Sequence, residues 1–290
     1  MTIVGLDIGG TNLRAVSITP KGEIIIKVSR SAGGQLPPSE LLAAIEEIVR
    51  EAAIYGLPQR IGAAIAGKIE LDGTMRVGST NLPNLAGMPL AETLSSRLGV
   101  PCRIDNDGRS TMRGEAWLGA ARGLQNAMAM TFGTAIGGGL LLDGRIHAGS
   151  HHGAGEIGVW RLAPPPLIGD WPTVEELAAP SRIALRFGRG LDELIATSMT
   201  NPAAEAAASE IFELIGRAIA NAHLLLDLEA VVLFGGITAI GEPFRLAVES
   251  AFLRACPPNY QHELMIRLSA LGPFAGAVGA AALWLDEVSS

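Results

Sequence analysis

Glycine makes up 36 of the 290 residues, and it is clustered rather than scattered. Gly9-Gly10-Thr11 follows the β-rich run TIVGLD, Gly133-Thr134 and Gly137-Gly138-Gly139 follow AMAMTF, and Gly235-Gly236 follow AVVLF. Glycine adopts dihedrals closed to other residues, and without a Cβ it lets backbone N–H groups come close to a ligand. A tight hairpin or bulge would explain any one cluster alone. Three of them, each at the C-terminal end of an apolar strand, point to a chain built to hold phosphate groups. None reads GxGxxG or Walker A, which argues against a Rossmann cofactor site or a P-loop.

The chain opens with three strands in succession, TIVGLD, LRAVSI and EIIIKV, with bends at Gly9-Gly10 and Pro20–Gly22. A helix is expected after Pro37-Pro38, with Ser39 as its cap and Leu42, Ile45, Ile48, Val49 and Ala52 at helical spacing. RIGAAIAG reads as a buried strand ending in Gly67, Asp72-Gly73 as a hairpin turn, and Leu90, Leu94 and Leu98 as one face of a helix stopped by Gly99. PCRIDND is a strand running into a polar cluster, followed by a helix over Arg109 to Trp117.

A second unit is expected from about residue 118. AMAMTF is a strand, GTAIGGG a glycine loop, and GLLLDGRIHAG a hairpin turned at Asp143-Gly144. Asn201 and Pro202 open the clearest helix, with Ile211, Leu214, Ile215, Ala218, Ala222 and Leu225 on one face. The strand ELMIRLS precedes an alanine-rich helix from Ala275 to Leu285, and residues 163–172 (APPPLIGDWP) read as a loop. IVGLD–IGGTN–LRAVSI and AMAMTF–GTAIGGG–LLLDGRI share one pattern of strand, glycine turn and strand, which suggests an internal duplication.

Hydrophobic residues are 48% and charged residues 18%, enough apolar material for a sizeable core and too much for a disordered chain. The net charge of −7 disfavours non-specific binding to nucleic acid or an anionic membrane. Cys102 and Cys256 give neither a metal-ligand spacing nor a disulfide framework, which fits a reducing cytoplasm. MTIVGLD lacks the marks of a signal peptide, and no apolar run is long enough to span a bilayer.

Two groups of carboxylates stand at strand ends. Asp7 precedes the first glycine pair; it could hold the waters of a magnesium ion on nucleotide phosphates, or cap a turn. Asp105-Asn106-Asp107 could take a proton from an attacking hydroxyl and orient a sugar, or form an Asx-turn into the next helix. Glu156, Glu175 and Glu176 are further carboxylates able to accept hydrogen bonds from sugar hydroxyls.

Read in order, GLDIGGTN, NLPNLAG, IDNDGRSTMRGEAWLGAARG, FGTAIGGGLLLDGR, GAGEIG and LFGG resemble the ROK family of repressors and sugar kinases, over nearly the whole chain. The resemblance implies an α/β protein of the actin-like ATPase (ribonuclease H-like) fold, with two α/β domains and a cleft between them. The smaller would be residues 1–117 completed by 275–290, and the larger 118–274. It implies Asp107 as catalytic base, and Gly67, Asn81, Asn106, Glu156 and Glu176 (or Glu175) as the sugar-side residues. Asp7, Gly9, Gly10 and Thr11 would form the first phosphate loop, with Asp7 on Mg²⁺ through water. Thr134, Gly137 and Gly138 would form the second, and Gly235 and Gly236 the adenosine-side turn.

Three departures from the family pattern bear on function. Val159 stands where family kinases often place a histidine that serves zinc and sugar, and RLAPPPLIGDWPTVEEL lacks the cysteines of the zinc motif, so no zinc site is expected. Ala66-Gly67 replaces the usual Pro-Gly. Family repressors carry a helix-turn-helix before the first glycine strand, which here begins at residue 2. The expectation is an ATP- and Mg²⁺-dependent kinase acting on C6 of a hexose, glucokinase-like, cytoplasmic and homodimeric, bound to neither nucleic acid nor membrane. An N-acetylhexosamine, fructose, allose or a cyclitol as acceptor, polyphosphate as donor, and a non-catalytic sugar-binding protein are the alternatives.

Overall fold

The computed structural model describes residues 2–32, 36–54, 56–78, 82–162, 171–261 and 264–287. They form two compact units. Unit 1 comprises residues 1–122, 146–154 and 270–290, and unit 2 comprises 123–145 and 155–269. Residues 118–122, 146–154 and 270–274, expected with the larger domain, are grouped with unit 1. The end of a helix holds the first stretch through Glu115, and Arg109 holds the second by donating from Nη1 to the His152 carbonyl at 2.9 Å.

Unit 1 contains β1 (Ile3–Ile8), β2 (Asn12–Ile18), β3 (Ile24–Ser31), α1 (Pro38–Ala52), β4 (Arg60–Ile65), the β5–β6 hairpin (Gly67–Ile69, Met75–Gly78), α2 (Leu90–Leu98), β7 (Cys102–Asn106) and α3 (Asp107–Leu118). Its sheet has the order β3-β2-β1-β4-β7, antiparallel through β1–β3 and parallel through β1, β4 and β7. Side chains alternate across a strand. Val4, Leu6 and Ile8 of β1 enter a core with Leu41, Ile45 and Ile48 of α1 and Leu90 and Leu94 of α2. Ile3 packs on the other face against Ala277, Val278 and Ala281.

Those last residues belong to α9 (Ala275–Ala281), which lies directly on the sheet. A Cβ on Gly5 would fall 1.9 Å from the Ala277 carbonyl oxygen, and one on Gly62 of β4 would fall 1.8 Å from that of Ala280. Only glycine permits this backbone-on-backbone approach. The same helix meets α3 in the same way: a Cβ on Gly279 would fall 1.6 Å from the Ser110 carbonyl oxygen. Trp284 follows, its Nε1 donating to the Ile61 carbonyl at 2.8 Å, with the guanidinium groups of Arg60 and Arg103 over its ring.

Unit 2 contains β8 (Ala127–Phe132), β9 (Ile136–Leu142), β10 (Arg145–His147), α4 (Val174–Ala178), α5 (Pro180–Phe187), α6 (Leu191–Thr197), α7 (Pro202–Leu226), β11 (Ala230–Gly235), α8 (Glu242–Ala255) and β12 (Met265–Leu268). Its sheet has the order β10-β9-β8-β11-β12, the connection order of the first sheet repeated, as the recurring sequence pattern suggested. The core is built from β8, β11, α7 and α8, with Phe244 edge-on to Phe132. Asn201 caps α7 by accepting from the Ala203 and Ala204 amides at 3.0 and 3.2 Å, as its position before Pro202 predicts.

Several local expectations need correction. Pro37, not Ser39, occupies the N-cap of α1, because the helix starts at Pro38, whose fixed φ suits a first helical position. Helix α3 holds Arg109 to Trp117 as expected and begins two residues earlier, at Asp107, where Asn106 caps it. Gly137-Gly138-Gly139 lie in strand β9, not in a loop, and only residues 133–135 make the turn. Helix α9 stops at Ala281, and residues 282–287 form 3₁₀ turns.

Candidate functional site

The polar residues of unit 1 gather at the C-terminal ends of β1, β4 and β7. Register places Asp7, Ala64 and Asp105 side by side across the sheet, and Ile8, Ile65 and Asn106 one step further on. Asn106 organises the turn into α3. Its Oδ1 accepts from the Gly108 and Arg109 amides at 2.9 and 3.1 Å. Its Nδ2 donates to the Gly67 carbonyl at 3.1 Å and to Asp107 Oδ1 at 3.0 Å. The Gly108 amide also donates to Asp107 Oδ1, at 2.9 Å. Gly67 turns at φ +137°, a left-handed value that favours glycine. Gly67, Asn106 and Asp107 are therefore brought together as one hydrogen-bonded group. Asn81 lies outside the described residues.

Asp7 and Asp105 experience opposite surroundings. Burial pushes the Asp7 carboxyl up to about 6; Arg14 opposes this and the nearby Asp107 charge adds to it. The Arg14 contact, across the β1–β2 hairpin, is long at 3.4 Å. For Asp105 burial also acts upward, but Arg113 and Arg109 outweigh it and hold the carboxyl below the usual range. Arg109 Nη2 lies 2.6 Å from Asp105 Oδ1 and Arg113 Nη2 lies 2.8 Å from Oδ2. Arg109 is 3% exposed, so its charge depends on this partner. A carboxylate saturated in this way is a structural anchor, whereas Asp7 is held by a single long arginine contact.

The Gly9-Gly10-Thr11 turn closes the β1–β2 hairpin, with the Gly9 amide donating to the Asn12 carbonyl at 3.0 Å and Thr11 exposed. In unit 2, parallel pairing puts Gly235 opposite Phe132, so the turns at Thr134 and at Gly235-Gly236 follow neighbouring strand ends. Gly235 has φ +125°, and a Cβ there would meet the Phe132 carbonyl oxygen at 2.0 Å. Thr134 and Gly236 are exposed. Gly138 is buried in β9, where a Cβ would meet Ile157 Cδ1 at 2.6 Å and the Gly155 carbonyl oxygen at 2.8 Å. Gly137 lies beside it, close to the Thr131 hydroxyl. The absence of side chains at these two glycines thus serves packing.

Glu156 is half-buried at the start of the 3₁₀ turn Ile157–Val159, and Val159 is 61% exposed. Glu176 is exposed and engaged in a capping box: its Oε2 accepts from the Thr173 amide at 2.7 Å while its own amide donates to Thr173 Oγ1 at 3.2 Å. The Thr173 amide is also the main cause that draws the Glu176 carboxyl below its ordinary value. Glu175 points elsewhere. Its Oε2 accepts from the Ile136 amide at 3.2 Å, and a Cβ on Gly158 would stand 3.2 Å from the same oxygen. Of the two glutamates, Glu175 is the one that reaches the GAGEIG segment and the glycine turn. The Thr173-x-x-Glu176 pattern was the sequence signal that could have separated them.

Arg14, Arg109 and Arg113 went unnoticed in the sequence. Hairpin register around Gly9–Asn12 pairs position 7 with position 14, and Arg109 follows Asp105 at helical spacing, so the first and second were findable. Residues 163–170 of the proline-rich stretch lie outside the described residues. Among the described residues, no three His, Cys, Asp or Glu side chains group as a metal site, and no helix is long and apolar enough to cross a membrane. Burial pushes the thiol of Cys102 up to about 12.

The chain is 27% identical to a glucokinase of Halalkalibacterium halodurans, over 95% of this chain and 92% of that one. Among solved structures it superposes on a ROK hexokinase from Thermus thermophilus with TM-score 0.83 and 27% identity, covering 100% of both chains. A ROK family glucokinase from Streptomyces griseus, in complex with glucose and AMPPNP, has the same fold, with TM-score 0.84 and 23% identity over 98% of this chain and 99% of that one. The architecture is the actin-like ATPase fold. The ROK family model matches residues 3–287, and the chain belongs to the ROK family.

Proposed function

We propose that this ROK-family sugar kinase transfers the γ-phosphate of ATP to the C6 hydroxyl of a hexose, as a glucokinase does. The observation that carries the reading is Asp107 at the first position of α3, one carboxylate oxygen fixed by Asn106 Nδ2 and the Gly108 amide. A hydroxyl presented there gives its proton to Asp107 as its oxygen bonds to the γ-phosphorus. The bond from that phosphorus to the β–γ bridging oxygen breaks, and ADP leaves.

Gly67 and Asn106 are the sugar-side residues of unit 1, and Glu156 with Glu175 or Glu176 are those of unit 2. Gly9, Gly10 and Thr11 serve the phosphates, as does the Thr134 turn, while Gly235 and Gly236 border the adenosine. Gly138 acts by letting Gly155 and Ile157 approach β9, and Gly137 leaves room for the Thr131 hydroxyl. Asp7 fits a divalent cation: its carboxylate is largely buried, weakly held by Arg14 and repelled by Asp107, so a cation and its waters would stabilise the anion. Bound there, magnesium would neutralise charge on the phosphates. The enzyme acts in the cytoplasm as a homodimer, with neither nucleic acid nor membrane as partner.

The kinship with the Halalkalibacterium halodurans glucokinase supports glucose as acceptor. The test is ADP release with Mg-ATP across glucose, mannose, fructose, allose, N-acetylglucosamine and N-acetylmannosamine. Strong turnover with glucose is expected. Turnover confined to an N-acetylhexosamine would move the acceptor and make Val159 the next residue to vary. Silence across the panel with ATP still bound would overturn the hexose reading.

A further inference from the structure

The chain passes between the units at four places, after residues 122, 145, 154 and 269. The first and last of these crossings converge on one side chain. Glu115 is in the last turn of α3 and is fully buried. Its Oε2 accepts from the Ala120 amide at 2.6 Å and the Ala270 amide at 3.2 Å, and its Oε1 accepts from the Leu271 amide at 3.2 Å. Its backbone carbonyl accepts from the Gly119 and Ala121 amides at 3.1 and 3.0 Å. A Cβ on Gly119 would fall 2.1 Å from Oε2, so the glycine there makes room for the carboxylate.

An apolar side chain at 115 would leave three part-buried amides without this acceptor. A carboxylate instead ties two segments, remote in sequence, to one point of α3. That helix is itself immobilised, since Gly114 and Gly279 bring it into backbone contact with α9. Asp107 begins the same helix, eight residues and so about 12 Å from Glu115.

We propose that Glu115 is a positioning residue that clamps both links, so that the chain leaving unit 1 and the chain returning to it move as one body with the helix that carries Asp107. The first and last of the four crossings then start from points fixed relative to Asp107. The turnover half of the test below rests on the sugar-kinase reading, and the exchange half does not.

The test compares the full chain with Glu115→Gln by hydrogen–deuterium exchange and by steady-state ADP release on the hexose the unaltered protein uses best. The expected result is exchange at least tenfold faster at residues 119–121 and 270–271 together, with β1 and β4 unchanged. Turnover should fall about tenfold in kcat with KM for ATP within twofold. Uniform acceleration across unit 1, acceleration at one link only, or unchanged kcat with both links freed would overturn the proposal. If the unaltered protein turns over no hexose, the kinase reading fails and the paired response of the two links still decides the clamp. If Glu115→Gln does not fold, Gly119→Ala takes its place: its Cβ displaces the carboxylate, and the same paired acceleration is expected.

Discussion

In the sheet of unit 1 the central strand carries Asp7 opposite Arg14; at the corresponding place in unit 2 stands Thr131, opposite Gly137. The same contrast runs along the strands. Gly5 and Gly62 let α9 touch the backbone of the first sheet, whereas the middles of β8 and β11 carry Met and Leu side chains that pack on α7 and α8. One topology has thus been used twice with different contents. The first copy concentrates carboxylates and a tightly seated helix, and the second concentrates glycine turns over an ordinary side-chain core. A repeated sheet order fixes where strand ends lie, and residue choice at those ends decides which copy gathers carboxylates.

The largest effect expected from breaking this contrast is at Asp107. Asp107→Ala should lower kcat by roughly 10²–10⁴ while sugar binding, read by calorimetry, persists. Near-normal turnover would remove the base from unit 1. Next is the anchor: Asp105→Asn leaves the buried Arg109 charge without its partner and should cost about 3–5 kcal/mol in denaturant unfolding. Gly62→Ala drives a Cβ into the Ala280 carbonyl and should cost about 1–3 kcal/mol.

Asp7→Asn should do the opposite. The folded Asp7 carboxyl sits at about 6, above its ordinary value of 3.8, so this group's contribution to stability falls as pH rises through that window. The variant should therefore gain about 1–3 kcal/mol over the unaltered protein above pH 7 without added metal, and gain nothing near pH 3, while losing activity. A loss of stability above pH 7 would show that Arg14 dominates. Smallest is Gly236→Ala in unit 2, where a Cβ meets nothing within 4 Å and stability should change by less than about 0.5 kcal/mol.

Much of this pattern was readable beforehand. Alternation and glycine punctuation marked most of the strands, and the Asn201-Pro202 start of α7 followed from capping chemistry. The duplication was visible as a repeated strand–turn–strand pattern and emerged as a repeated sheet order. What escaped the sequence was long-range. Gly137 and Gly138 looked like loop glycines because a missing side chain reads alike in a turn and under a close neighbour; the neighbours here are the Thr131 hydroxyl for Gly137 and Gly155 and Ile157 for Gly138. Glu175 and Glu176 were not told apart because reach depends on helix phase. Helices α4–α6 were missed because each is short, of five to eight residues, so periodicity had little to work on. Glu115 looked like one more helix carboxylate, since its partners at 270–271 are 155 residues away.

The glycine-seated α9 also sets an order of events during synthesis. The strands it covers are made first, yet the ribosome completes the whole of unit 2 before it reaches Ala275. Until then Ile3, Val16 and Ile18 lack the apolar partner they have in the finished protein. The nascent first sheet must wait with one oily face unsealed, open to chaperones or to wrong partners. The unit that is begun first is finished last.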